Sequence, residues 1–318
     1  MSIGSNIRKR RYELKMSQQE LADAMGYKTR STIAKIESGE NDISQKKLQK
    51  MAEVLDTTVQ ALLTSYLNEN ALSSIAINTS YNRTKNIVVI LAGGKSSRNH
   101  QNIPSQFINV NGKPIIVYCM EKYQSHPMID DIYIVCLKGW ESIVKAYANE
   151  YGITKLKSLI PAGTSGIDSF KKAFDCIKSR YSQNDLIIIQ EATRPMVATE
   201  TISKLLQACE IRDSATICHY MNDYVQFNIG NNRTQYIDRN TTVALQSPEA
   251  HRISLMNKVF DKAQKTGHTL TETCCTMLLY NLGYNINFIE SSNNNIKIVR
   301  EEDIATLSAL IKNYDYQD

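Results

Sequence analysis

No run of about eighteen apolar residues occurs anywhere in this 318-residue chain, and Met1 to Arg11 lacks the apolar centre of a secretory leader. The first absence argues against a membrane-spanning helix and the second against export, so the expectation is a cytoplasmic protein with no membrane partner. Cys-x-x-Cys is missing too: the seven cysteines (119, 136, 176, 209, 218, 274 and 275) are odd in number and sit mostly in apolar runs. They read as small core residues, which argues against a disulfide framework or a zinc site. What remains is globular, 42% hydrophobic and 22% charged. The chain exceeds the length of about 250 residues near which single cores stop growing, so two domains are expected.

Net charge is +5, and its distribution is uneven. Residues 1–67 hold eleven Lys/Arg against eight Asp/Glu, with four of the cations consecutive at Arg8-Lys9-Arg10-Arg11. Charge alone leaves a solvated helix face and an anionic partner both open. Periodicity from Ser5 to Tyr66 is helical. Ser17 followed by Glu20 is a capping box, opening a helix with Leu21, Ala24 and Met25 that Gly26 closes. A second helix carries Ile33 and Ile36 inward and ends at Ser38-Gly39, and further helices are expected over Ser44–Leu55 and Thr58–Tyr66. Two short helices joined by a glycine turn have the geometry of a helix-turn-helix, whose second helix can enter a major groove.

The stretch SQQELADAMGYKTRSTIAKIESGENDISQKKLQKMAEVLDTTVQALL resembles the Cro/C1-type (XRE) helix-turn-helix family across nearly its whole length. The resemblance implies an all-α bundle over 1–67 that binds double-stranded DNA, in which Gln18 meets a phosphate. Lys28, Thr29, Arg30, Ser31, Thr32 and Lys35 would start or flank the recognition helix. The chemistry agrees, since Arg and Lys pair with guanine edges while Ser, Thr and a helix N-terminus hold phosphate oxygens. A bundle repurposed for protein contacts is the alternative. The turn Gly26-Tyr-Lys-Thr-Arg-Ser-Thr-Ile is one residue longer than the family's commonest form. A single module binds DNA weakly, so a homodimer is expected.

Asn68 to Arg83 is rich in Asn and Ser without a clean period, and 68–85 is read as a linker. Beyond it, strand-like runs at Asn86–Leu91, Ile132–Leu137, Leu186–Ile189 and Ser214–His219 alternate with amphipathic segments at Pro114–Gln124, Glu141–Glu150 and Ser169–Arg180. That alternation predicts a mainly parallel α/β sheet covered on both faces over 86–318, with its ligand beyond the carboxyl ends of the strands. Gly93-Gly94 lies at one such end, where backbone amides can converge on phosphate.

ILAGGKSSR, PSQF and NGKPII resemble the opening signature of the methylerythritol-phosphate and ribitol-5-phosphate cytidylyltransferases, and GTSGIDSF, IIIQEATRPMV, YIDRN, ALQSPEA, TLTETCC and NNNIKIVREEDI follow in that family's order. The resemblance implies a homodimeric Rossmann-like fold, with a β-arm within Asn222–Ala244 that exchanges between subunits. It also implies attack by a polyol phosphate on CTP with Mg²⁺ and release of pyrophosphate. Carried over by residue, Ala92, Gly93, Gly94, Ser97 and Arg98 cradle the triphosphate and Ser169 the nucleoside. Arg194 and Lys297 hold phosphate groups, Asp223 and Ser247 flank the substrate phosphate, and Glu191 stands at the metal-binding aspartate.

The departures fall on the chemistry. Ser105 replaces the lysine of Pro-Lys-Gln, Gln190-Glu191 replaces His-Asp, Gly166 occupies an arginine position, and Glu272 replaces an aspartate. Tyr224 and Gln226 stand where the family has Thr and Lys, and Asn99-His100 where it has Met-Gly. Lys95 or Lys113 is offered as a substitute for the missing ammonium. The expectation is therefore a DNA-binding regulator whose second domain binds CTP or a CDP-polyol with reduced or absent turnover. A working CTP:polyol-phosphate cytidylyltransferase that also binds DNA is the alternative.

Overall fold

The computed structural model describes residues 3–41, 43–57, 83–95, 103–221, 225–230 and 233–315, together with Val59 and Leu62. The chain divides into two compact units, Met1–Arg83 and Thr84–Asp318. The linker expected at 68–85 falls outside the described residues up to position 82, as does most of the helix expected over Thr58–Tyr66.

The first unit contains α1 (Ile3–Glu13), α2 (Gln18–Met25), α3 (Arg30–Ser38) and α4 (Gln45–Val54). The capping box is formed in full: Glu20 N donates to Ser17 Oγ, and Ser17 N donates to the Glu20 carboxylate. Gly26 ends α2 in the left-handed region at φ 79°, which a side chain rarely tolerates. Ile7, Leu21, Ile33, Met51, Leu55 and Leu62 fill the core. The basic run is not a simple solvated face. Arg11 is buried and grips Glu37 with two bonds of 2.7 and 3.0 Å, and Arg10 donates to Leu55 O and Asp56 O. Of the four cations, Arg8 and Lys9 are the exposed ones.

The described residues of the second unit build a seven-stranded sheet. Its strands are β1 (Asn86–Ala92), β4 (Asp131–Cys136), β5 (Leu156–Pro161), β6 (Leu186–Glu191), β7 (Ser214–Tyr220), β10 (Val243–Arg252) and β11 (Phe288–Glu290), in the order β11-β7-β10-β6-β1-β4-β5. A short pair, β2 (Asn109–Val110) and β3 (Lys113–Pro114), and the hairpin β8 (Gln226–Gly230) with β9 (Arg233–Ile237) stand apart from it. Every pairing in the large sheet is parallel except those of β10, which runs antiparallel to both β6 and β7. Helices cover both faces: α5 (Ile115–Ser125), α6 (Glu141–Glu150) and α8 (Thr199–Arg212) on one, α7 (Gly166–Ile177), α9 (Ile253–Lys265) and α10 (Cys275–Asn281) on the other.

Strand β1 shows why. Val88 and Ile90 join Val117, Met120, Val144 and Leu205 on one face, while Ile87 and Val89 join Phe170, Phe174, Met256 and Phe260 on the opposite one. A strand buried on both sides carries no polar alternation, which is why its apolar run is unbroken. Helix α11 (Glu301–Asp315) anchors a smaller cluster through Leu307 and Ile311. The parallel registers set Leu91 beside Glu191, Ala92 beside Cys136, and Cys136 beside Pro161. The carboxyl ends of β1, β4, β5 and β6 therefore finish together at one edge.

Candidate functional site

That edge opens into a cleft of about 1060 Å³. Its first wall is the Gly93-Gly94 turn after β1. Gln106, itself buried, donates through Nε2 to Ala92 O at 2.9 Å and Gly94 O at 2.8 Å, fixing the turn from beneath. The neighbouring Phe107 stacks on Trp140 with ring centroids 4.1 Å apart. A side chain at Gly93 would set its Cβ 2.5 Å from the Cβ of Ala162, so the absence of one lets two loops close on each other.

The second wall is the loop 162–166 entering α7. Ser165 caps the helix by accepting from Asp168 N, and Asp168 Oδ2 accepts from Thr164 N at 2.7 Å. Ser169 Oγ accepts from Gly163 N at 2.9 Å, leaving its own proton available to the cleft. Helix α7 thus presents its N-terminal amides and partial positive charge to whatever the cleft holds.

The charged floor comes from the loop after β6. Glu191 Oε2 is 2.9 Å from Arg194 Nε, and Glu191 Oε1 pairs with Lys297 Nζ. Gln190 is wholly buried: its Oε1 accepts from Tyr123 OH at 2.7 Å, and its Nε2 donates to the carbonyls of Glu191 and Arg194. The amide that replaces the family's histidine therefore serves as a brace. Ser247 Oγ accepts from Glu191 N at 3.0 Å, and Arg194 Nη1 donates to Asn295 O. Burial works against ionisation of Glu191, but Lys297 and Arg194 outweigh it and hold the carboxyl below its ordinary value. Whatever stability this cluster contributes is present above the ordinary carboxylate pKa and lost as pH falls through the depressed one.

Eight of the residues singled out from sequence meet in this cleft: Gly93, Gly94, Lys95, Ser169, Glu191, Arg194, Ser247 and Lys297. Ala92 is buried in β1 and does not line the cleft; its carbonyl accepts from Gln106. Ser97, Arg98 and Asp223 lie outside the described residues, as does Tyr224. Lys113 does not reach the cleft. Its Nζ bonds both oxygens of Glu121 at 2.8 Å and lies over the rings of Tyr118 and Tyr151, so Lys95 is the substitute that remains. Among the described residues Lys95 has no carboxylate partner. Ser105 is buried in a 3-10 turn and does not line the cleft. At Gly166 a Cβ would come within 2.9 Å of Thr273 O, so the loop before α10 occupies the side from which the family's arginine would leave.

Three contributors play roles that the sequence does not reveal. Gln106 and Gln190 act by bracing backbone from within the core, and no local pattern marks an amide for that task. Glu249, also lining the cleft, is buried and accepts from Cys275 N, Thr276 N and Thr276 Oγ1, capping α10 from strand β10.

In the helical unit, Lys28, Thr29, Arg30, Ser31 and Lys35 are exposed and Thr32 is half-buried, giving one polar face at the start of α3. Gln18 heads α2 as expected, but its Nε2 donates to Glu37 at 2.9 Å, so part of its hydrogen-bonding capacity is turned inward.

A helical unit with an exposed polar α3, and a doubly covered sheet with a phosphate-type cleft at its carboxyl edge, define a helix-turn-helix domain joined to a Rossmann-like nucleotidyltransferase domain. Residues 86–313 match the family described as 2-C-methyl-D-erythritol 4-phosphate cytidylyltransferase, and residues 7–62 match the one described as helix-turn-helix. The chain belongs to that cytidylyltransferase family. Ribitol-5-phosphate cytidylyltransferase of Lacticaseibacillus paracasei is 29% identical over 226 residues, covering 70% of this chain and 97% of the relative. A 2-C-methyl-D-erythritol 4-phosphate cytidylyltransferase of Clostridium botulinum is 28% identical over 225 residues, covering 70% and 95%. Among solved structures, the 4-diphosphocytidyl-2C-methyl-D-erythritol synthase of Anaerococcus prevotii shares the fold with a TM-score of 0.61 at 18% identity, covering 72% of this chain and 96% of its own.

Proposed function

We propose that this protein is a cytoplasmic, homodimeric DNA-binding regulator whose second domain binds CTP or a CDP-polyol with little or no turnover. The observation that carries this reading is the contrast within one cleft. Its nucleotide walls are closely built, with Gln106 under the glycine turn and Ser169 against Gly163. Its transferring cations are depleted: position 105 is a buried serine, and Thr273 O abuts Gly166. Losing one preorganised donor from such a site costs about 10²–10³ in rate, roughly 3–4 kcal/mol, while binding tolerates the loss far better.

Magnesium takes oxygen ligands and usually one or two carboxylates beside the substrate phosphates. Glu191 is the residue that would hold it, because Glu249 is committed to α10. When bound, the ion would neutralise charge on the polyphosphate. Pairing of two chains through the arm is supported by Val225, Phe227 and Tyr236, which are large, apolar and exposed on β8, β9 and their approach. Coupling between ligand and DNA then requires only that the ligand favour one of two dimer geometries.

A second reading, a working cytidylyltransferase that also binds DNA, is favoured by the cleft-lining Lys95. Pyrophosphate release from CTP with Mg²⁺ and a panel of polyol phosphates separates the two, and turnover near one per second would establish the second. On the DNA side, replacing Arg30 and Lys35 together by alanine should weaken operator binding. The slope of log K against log salt should fall by about one for each phosphate no longer held. An unchanged affinity would mean a domain repurposed for protein contacts.

A further inference from the structure

Strand β10 and helix α10 bring three ligand-type side chains together, Glu249, His251 and Cys275, all buried, with their donor atoms within 4.8 Å of one another. No Cys-x-x-Cys spacing announces the group, because the fold assembles it from two separate elements. His251 is the informative member. Its Nδ1 shares a 2.9 Å hydrogen bond with Ser214 Oγ on β7, while its Nε2 is buried without a hydrogen-bond partner among the described residues. Glu249 Oε2 stands 3.5 Å from that nitrogen. Buried polar atoms are nearly always paired, and an unpaired imidazole nitrogen beside a carboxylate and a thiol marks a place for an ion. We propose that Glu249, His251 and Cys275 form a binding site for a divalent transition metal of the zinc class. The site stands apart from the magnesium position at Glu191 and does not depend on the nucleotide reading.

Imidazole, thiolate and carboxylate together suit zinc rather than magnesium, which takes oxygen. Ligand atoms on one zinc ion stand about 3–4 Å apart, so side-chain turns of about 1 Å complete the set. The ring is held from behind by Ser214, and the carboxylate by Cys275 N, Thr276 N and Thr276 Oγ1, which are the outer hydrogen bonds that metal ligands ordinarily carry. Those three bonds disqualify Glu249 for magnesium. They nevertheless occupy only three of the carboxylate's roughly four lone-pair positions and leave one for a single metal bond. Glu249 and Cys275 also line the cleft, which gives the ion a route in and leaves its fourth position to water. Burial, and then the Glu249 charge, push the Cys275 thiol up, so its proton passes to solvent when the sulfur binds the metal. The bound ion would clip the start of α10 to β10 beside the cleft.

The test strips the full-length protein with a chelator and titrates it with Co²⁺, which reports thiolate coordination by a charge-transfer absorption band, then displaces the cobalt with Zn²⁺. The expected result is one ion per chain, with the band present and lost on adding zinc. Cys275→Ser should abolish the band, whereas Cys274→Ser, its neighbour in the cleft wall, should keep it. Ser214→Ala leaves all three ligands in place and should weaken cobalt binding by about tenfold or more, the usual effect of losing an outer partner. Far-UV circular dichroism and a melting curve check that each metal-free variant is folded. Should Cys275→Ser unfold, the band in the unmodified chain and its response to Ser214→Ala decide the matter. No band, a band that follows Cys274 rather than Cys275, or an affinity unmoved by Ser214→Ala would overturn the proposal, the last two because the ion would then be held elsewhere.

Discussion

Replacing Glu37 by alanine is expected to unfold the helical domain and abolish operator binding. Arg11 and Glu37 have side chains only 4% and 3% exposed, joined by a two-pronged ion pair, with Gln18 on the same carboxylate and Met16 O on the same guanidinium. Removing the acid leaves a guanidinium buried without its counter-charge, which costs about 3–5 kcal/mol. Whole-domain stabilities are commonly about 5–15 kcal/mol, and a unit this small sits near the bottom of that range. Amide exchange in α2 and α3 of the full chain would report the loss directly. The double change Arg11→Met with Glu37→Leu should recover much of it, because well-packed apolar side chains often replace a buried ion pair without penalty. A single substitution costing under about 1 kcal/mol would place the pair among ordinary surface salt bridges instead.

Gly163→Ala is expected to destroy nucleotide binding while leaving the sheet folded. The new Cβ would lie 2.4 Å from Asp168 Oδ2 and 2.7 Å from Ser169 N. The Asp168 side chain can turn aside, but Ser169 N belongs to the backbone of α7 and has no such freedom, so the loop must leave its position. That movement breaks the Gly163–Ser169 and Thr164–Asp168 hydrogen bonds together. Without these two hydrogen bonds, each worth about 1 kcal/mol, a modest fall in melting temperature should accompany a large loss of ligand-induced thermal shift. Retained ligand stabilisation in this variant would mean that the loop does not form the nucleotide wall.

These two sites differ in how far the sequence reveals them. The capping box at Ser17 and Glu20, the stop at Gly26 and the unbroken strand at 86–92 are local patterns, and each is legible because its cause lies within a few residues. The parallel sheet follows from alternation of strand and helix for the same reason. Strand β10 escapes such reading because it pairs antiparallel with two strands, with a register shift between Gln246 and Glu249 that interrupts any clean alternation. The burial of Arg11 depends on Glu37, 26 residues away, and nothing in a run of four cations marks which one turns inward. Lys113 deceives for the converse reason: its charge is spent on Glu121 of the helix that follows it. The cleft itself is legible as a set of motifs in order, whereas the bracing done by Gln106 and Gln190 becomes visible only once strands distant in the chain are side by side.

Central to the proposed function is a cleft that would keep a nucleotide without consuming it. The most direct test incubates the full-length protein with labelled CTP, Mg²⁺ and a panel of polyol phosphates including ribitol 5-phosphate, then recovers the bound nucleotide and identifies it. The label should stay with the protein as intact triphosphate, with pyrophosphate released at least about a hundredfold more slowly than the ordinary enzymic rate of roughly one to a thousand per second. Recovery of the label as a cytidine-diphosphate alcohol, at a rate within that ordinary range, would contradict it.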